Sequence, residues 1–160
     1  MRIIDRNLQI VEDGWALVDD EAPLADGDVI VSFARWQRDA QALAAHRGRV
    51  GVMLPPDTKL EEVADSLINL PLIALEFPKF VDGRGFSLAR LLKERHHYKG
   101  ELRAVGDVQR DQIDFMRRCG IDSYALRADK DPADALNAFR EFTIRYQSAA
   151  DQAVPVYRRR

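Results

Sequence analysis

Apolar residues along this chain gather into five short runs, at residues 29–33, 50–54, 72–77, 102–105 and 123–126, and each is followed by a stretch of helical period. In those stretches apolar residues fall three or four apart: Leu60, Val63, Ala64, Leu67 and Ile68; then Leu88, Leu91, Leu92 and Tyr98; then Leu136, Phe139, Phe142, Thr143 and Tyr146. Such spacing gives each helix one apolar stripe. Boundary residues agree. Thr58 with Glu61 reads as a capping box, Asp107 is placed to cap the segment that runs to Cys119, and Asp131 before Pro132 sets a cap ahead of a proline at the first helical position. Gly48, Gly100 and Gly120 supply stops.

The first quarter follows another rule. Residues 8–11 and 15–18 flank Glu12, Asp13 and Gly14, and a glycine there suits the positive φ of a tight turn, so a small antiparallel hairpin is expected. Asp19, Asp20, Glu21, Asp26 and Asp28 then make a solvated connector around Pro23 and Gly27. Parallel strands need long crossovers, so the alternation predicts a single α/β domain over residues 1–160, with five βα units and a parallel sheet. Hairpin and connector occupy 1–28, the βα core 29–146 and a C-terminal tail 147–160. An open sheet, flavodoxin-like or Rossmann-like, is favoured because five units are too few to close an eight-stranded barrel; an incomplete relative of the TIM barrel is the alternative.

Bulk properties narrow the classes. A chain of 160 residues, 46% hydrophobic and 31% charged, is long enough for one buried core, and no segment offers the roughly 18 consecutive apolar residues of a membrane span. The net charge of -2 gives no overall attraction to nucleic acid, so an anion site must be local. The first residues lack the apolar core of a secretory signal and Cys119 is the only cysteine, which makes the cytoplasm the expected compartment and excludes an intrachain disulfide.

In parallel α/β folds ligands bind beyond the carboxyl ends of the strands, where helix N-termini gather. That rule selects Arg35, Asp57, residues 79–84, Asp107 with Arg110, and Arg127 with Lys130. The third loop is the richest. Gly83 and Gly85 free the backbone, Arg84 offers a fork that matches a two-oxygen anion, and Lys79, Asp82 and Ser87 stand beside it. The expected ligand-binding set is therefore Lys79, Asp82, Arg84 and Ser87, with Arg35, Arg110 and Arg127. Asp82 or Asp107 would be the base if the site is catalytic, although Asp107 also suits a helix cap. The loop matches neither the P-loop nor the dinucleotide fingerprint.

Residues 79–100 are the most cationic stretch, with Arg90, Lys93, Arg95 and Lys99 available for a partner surface or for an ordinary solvated face. His96 and His97 are adjacent and point to different sides of a helix, so no metal site is assigned. Cys119 lies among arginines but next to a glycine stop, where a cysteine packs as a small hydrophobe. Trp15 and Trp36 read as packing residues, and the closing Tyr157, Arg158, Arg159 and Arg160 are too few for a nucleic-acid arm.

Residues 77–87, followed by 91–95, 98–108, 110–112 and 115–120, together with 27–31 and 34–36, resemble a bacterial family of unknown function. Its members are labelled as oxidoreductases of sulfite reduction and are encoded near genes of assimilatory sulfite and sulfate reduction. The resemblance implies a role in that pathway; with the loop chemistry above, the expectation is an accessory protein that binds a small anion or an anionic nucleotide at the strand-end basic groups. One alternative is an enzyme that uses the same pocket for acid–base or redox chemistry. Another is a non-catalytic module that docks on a sulfite reductase component. No cofactor is assigned, because the chain has no dinucleotide fingerprint, no cysteine set for an iron–sulfur cluster or sirohaem, and no redox pair. Nucleic acid and membrane are not expected as partners, and self-association into a homo-oligomer is left open.

Overall fold

The computed structural model of the protein describes residues 1–79 and 82–139. Eight strands form one sheet: β1 (Arg2–Ile4), β2 (Ile10–Glu12), β3 (Trp15–Leu17), β4 (Asp28–Ser32), β5 (Val50–Leu54), β6 (Leu72–Phe77), β7 (Glu101–Gly106) and β8 (Ser123–Tyr124). The helices are α1 (Phe33–Arg38), α2 (Ala40–Ala44), α3 (Leu60–Leu67), α4 (Arg84–Arg90), α5 (Arg110–Arg118) and α6 (Pro132–Ala138), and α4 runs on through a wider π turn at Leu91–Arg95. Every apolar run of the sequence contains a strand, although Phe33 opens α1 and Ala125 and Leu126 lie beyond β8. Helix signals of the sequence at Phe142, Thr143 and Tyr146, the tail 147–160, and Phe80 with Val81 lie outside the described residues.

The strand order is β2-β1-β8-β7-β6-β5-β4-β3, parallel throughout from β3 to β8, with β1 antiparallel to both β2 and β8. Thus β2 and β3 stand at opposite ends of the sheet, yet only Asp13 and Gly14 separate them. Laid flat, strands about 4.8 Å apart would set those edges roughly 34 Å from each other. The three Cα steps from Glu12 to Trp15 cover at most about 11 Å. The sheet must therefore curl until its edges approach. Because β2 and β3 run in the same direction, residues 10–17 act as one bent strand whose first half pairs with β1 and whose second half pairs with β4.

Of the two architectures open to the sequence, the curled sheet is the barrel-like one. From β3 to β8 the order never reverses, so the switch point of an open doubly wound sheet is absent from it. The strands that five βα units lack come from residues 1–17. An N-terminal antiparallel hairpin forms as expected, but between β1 and β2 rather than across Gly14. The chain passes Gly14 without the positive φ seen at Gly27, Gly106 and Gly120, so no tight turn folds β3 back on β2. Each half of the segment is then free to take its own sheet edge.

Side chains alternate between the two faces. Outward, Val52, Leu54, Ile73, Leu75, Phe77, Leu102 and Ala104 join Leu60, Leu67, Leu88, Leu92, Ile113 and Met116 in the main core under the helices. Val29 and Val31 meet Leu43 and Trp36 in a second outer cluster. Inward, Ile30, Leu72 and Ala74 pack with Trp15, Met53 and Val105. A Cβ at Gly51 would stand 3.1 Å from the Leu72 side chain, so the lumen is filled at that level.

Caps follow the sequence in part. Asp131 accepts from the Ala133 amide ahead of α6, and Gly120, at φ 102°, closes α5 while Gly120 and Ile121 donate to the carbonyls of Arg117 and Met116. Thr58 makes no capping box. Its hydroxyl donates to the Pro55 carbonyl at 2.7 Å, and α3 starts after Lys59. Asp107 is not the N-cap of α5 either, since Gln109 directly precedes that helix. Among the described residues, no helix is long and apolar enough to cross a membrane.

Candidate functional site

Beside Asp28 and Glu101 at the strand starts, two inner-facing charges stand within the apolar runs themselves: Arg103 in β7 and Glu76 in β6. The register pairs Ala74 with Arg103 and Glu76 with Val105, so Glu76 lies a full pleat nearer the carboxyl ends. Their surroundings differ. Arg103 is 2% exposed and donates through Nη1 to both oxygens of Asp13 at 2.8 and 2.9 Å, through Nη2 to Glu101 at 2.9 Å, and through Nε to Ser123 at 3.2 Å. Ser123 in turn donates to Glu101. Asp13 belongs to the bend between β2 and β3, so this network ties the middle of the sheet to the segment that joins its edges. Glu76 is partly buried and has no hydrogen bond or ion pair among the described residues.

The carboxyl ends of β3 to β8 gather at one opening, and the loops after β6, β7 and β8 bring most of the predicted residues there. After β6, Lys79 is exposed, and its carbonyl accepts from the Asp82 amide at 3.0 Å. Asp82 turns both carboxylate oxygens to Arg84, taking Nε at 3.0 Å, Nη2 at 2.8 Å and the Arg84 amide at 3.2 Å. The fork suited to a two-oxygen anion thus already holds one. With its side chain 61% exposed, Arg84 sits at the outer rim rather than deep in the lumen. The hydrogen bonds from Arg84, side chain first and amide second, hold the Asp82 carboxyl below the ordinary carboxylate range. That makes it a weaker base at neutral pH.

The glycines flanking Arg84 serve packing more than backbone freedom. Neither Gly83 nor Gly85 has a positive φ, but a Cβ on Gly85 would fall 2.6 Å from the Phe77 ring. This close approach seats the first turn of α4 on the end of β6, with Phe86 5.2 Å from Phe77 and 5.0 Å from Phe115 between ring centroids. Ser87 is exposed on the same turn. Gly106, by contrast, needs its conformation: φ is 93°, and Phe77 O lies 2.6 Å from where a Cβ would be. That turn lets the Asp107 amide donate to Phe77 O at 2.7 Å, locking the ends of β6 and β7 together.

Arg127 bridges the next two loops, donating to Asp107 at 3.1 Å and to Asp129 at 3.0 Å. Asp107 also accepts from the Gln109 side chain at 3.2 Å. Arg110 faces α6, its Nε 3.6 Å from Asp134. Arg35 is 7% exposed and committed elsewhere: it donates to the Asp19 carbonyl and, at 3.3 Å, to Asp39, binding the acidic connector to α1. The structure therefore joins Asp82 with Arg84 and Asp107 with Arg127, and commits Arg35 to Asp19 and Asp39.

The cationic stretch is largely neutralised from within. Arg90 lies 3.7 Å from Glu94, Arg95 3.8 Å from Glu61, and Lys93 donates to Asp122 at 2.9 Å and to Gly100 O at 3.3 Å. Among the described residues, no group of three or more histidine, cysteine, aspartate or glutamate side chains is placed to hold a metal ion. Cys119 is buried, 1% exposed, within the main core.

Sequence reasoning passed over Glu76 and Arg103, although each is the only charge within its apolar run. Strand limits and the period of two would have put them on the inner face; the partners that separate their roles come from distant residues. No curated protein and no solved structure matches the chain. A family model described as a bacterial protein of unknown function, DUF934, matches residues 51–157, from β5 onward, and the chain belongs to that family.

Proposed function

We propose that the protein is a cytoplasmic accessory factor of assimilatory sulfate and sulfite reduction that binds a small anion or an anionic nucleotide at the carboxyl-end opening of its curled sheet. The supporting observation is the rim of that opening: Lys79 and Ser87 hold no side-chain partner among the described residues, beside an Arg84 guanidinium oriented by Asp82. Cationic and hydroxyl donors with nothing to satisfy are the groups an oxyanion recruits. The sulfur context comes from the family resemblance of the loop and of α4.

Two other assignments draw less support. An acid–base enzyme built on Asp82 would rely on a carboxylate whose proton affinity Arg84 lowers. A docking module built on Arg90, Lys93, Arg95 and Lys99 would rely on a set of which the first three already face acids of the same chain. Titration calorimetry with sulfate, sulfite and adenylyl sulfate tests the proposal. Binding that weakens about tenfold in Lys79→Ala and in Arg84→Ala is expected, a loss in the range of one charge-assisted hydrogen bond. Absence of binding, or affinity untouched by both substitutions, would overturn it.

A further inference from the structure

Glu76 gives the same opening a second chemistry. Glu76 is a partly buried carboxylate in a strand interior, with no hydrogen bond or ion pair among the described residues, and its oxygens are not among the buried unsatisfied atoms, so they still reach solvent and are available to a ligand. Its inner-face neighbours on the two adjacent strands are apolar and not sealed: Met53 and Val105 are partly exposed. Beneath them Ile30, Leu72 and Ala74 are buried and form a floor. Apolar walls, a closed floor and one fixed acceptor describe a site for an organic body bearing an N–H donor. A bare oxyanion gains nothing from such walls and is repelled by the carboxylate.

Resting on the anion reading of the rim, we infer that the ligand is a nucleotide with an amino-bearing base: phosphate outside at Lys79 and Arg84, base inward between Met53 and Val105, exocyclic amine donating to Glu76. A carboxylate accepts such an N–H and discriminates against ligands that lack it, because its oxygens then lose water without gaining a donor.

Calorimetry with AMP, GMP and inorganic sulfate as probes tests this on the whole chain. For the native protein, AMP or GMP should bind at least about tenfold more tightly than sulfate. In Glu76→Leu that advantage disappears while sulfate affinity stays, and Glu76→Gln, which keeps one acceptor oxygen, retains part of it. The melting temperature of Glu76→Leu should be no lower than that of the native chain; a drop of several degrees would make the carboxylate a structural group and overturn the inference. Sulfate binding with no nucleotide advantage, or an advantage that survives in Glu76→Leu, overturns it and leaves the rim proposal standing. Failure of all three probes to bind overturns both.

Discussion

The deep lumen and the carboxyl-end opening use the same residue types in opposite ways. In the lumen, Arg103, Asp13, Glu101 and Ser123 satisfy one another, with the Arg103 and Asp13 side chains only 3% and 6% exposed. At the opening, Glu76 and Lys79 are left without partners among the described residues, and the Arg84–Asp82 pair is largely solvated on its arginine side. Buried charge that is fully paired belongs to the architecture; charge near a surface without a protein partner is held by water, which a ligand can replace.

The sharpest way to break this comparison is Arg103→Met. It strands Asp13 and Glu101 without their guanidinium, and a loss of about 3–5 kcal/mol in urea unfolding is expected. Asp13→Ala in the same background should add far less than it does alone, because the partner is already gone. A loss below about 1 kcal/mol for Arg103→Met would show that the bend at Asp13 closes the sheet without this network.

Next in size is Gly106→Ala, which puts a Cβ into a left-handed backbone and against Phe77 O. About 2–3 kcal/mol of destabilisation is expected, with amide exchange rising at Asp107, where the link from β7 to β6 would loosen. Gly85→Ala should follow at about 1–2 kcal/mol, since the Phe77 ring must move away from the new methyl. Chemical denaturation orders the two, and a neutral Gly85→Ala would show that α4 seats itself without the close contact.

The smallest stability effect belongs to the rim. Arg84→Ala should move the melting temperature by no more than about 2 °C, as for other exposed ion pairs. Its informative readout is the Asp82 carboxyl, which NMR titration should find rising towards its ordinary value of 3.8. The sign follows from a folded-state pKa lowered by Arg84. Whatever stability the pair adds is complete above the unfolded value of 3.8 and is lost as pH falls through the lower folded value. Between about pH 5 and 8 the pair should therefore contribute no pH dependence. An unmoved Asp82 titration would remove Arg84 as its stabilising partner.

Much of the layout was legible from local pattern. The runs at 50–54 and 72–77 became β5 and β6 with the same limits, because a continuous apolar stretch between helical segments has few alternatives to a covered strand. Asp131 and Gly120 end their helices as expected, since caps are local hydrogen-bonding and φ effects. Thr58 and Asp107 were misjudged for the same kind of reason: each found a nearer or stronger partner, the Pro55 carbonyl for Thr58 and the Arg127 guanidinium for Asp107. The rim loop was singled out by its composition, but the capture of Arg84 by Asp82 depends on a turn geometry that composition does not fix.

Periodicity, glycine positions and the absence of any long apolar segment were enough to determine an α/β chain of alternating strands and helices, because those preferences act over a few residues. Only the tertiary structure decided that residues 10–17 bridge both sheet edges, that Arg103 meets Asp13 from far along the chain, and that Glu76 meets no partner among the described residues. Strand order and the pairing of buried charges are set by contacts between distant segments, and a linear pattern holds no direct record of those contacts.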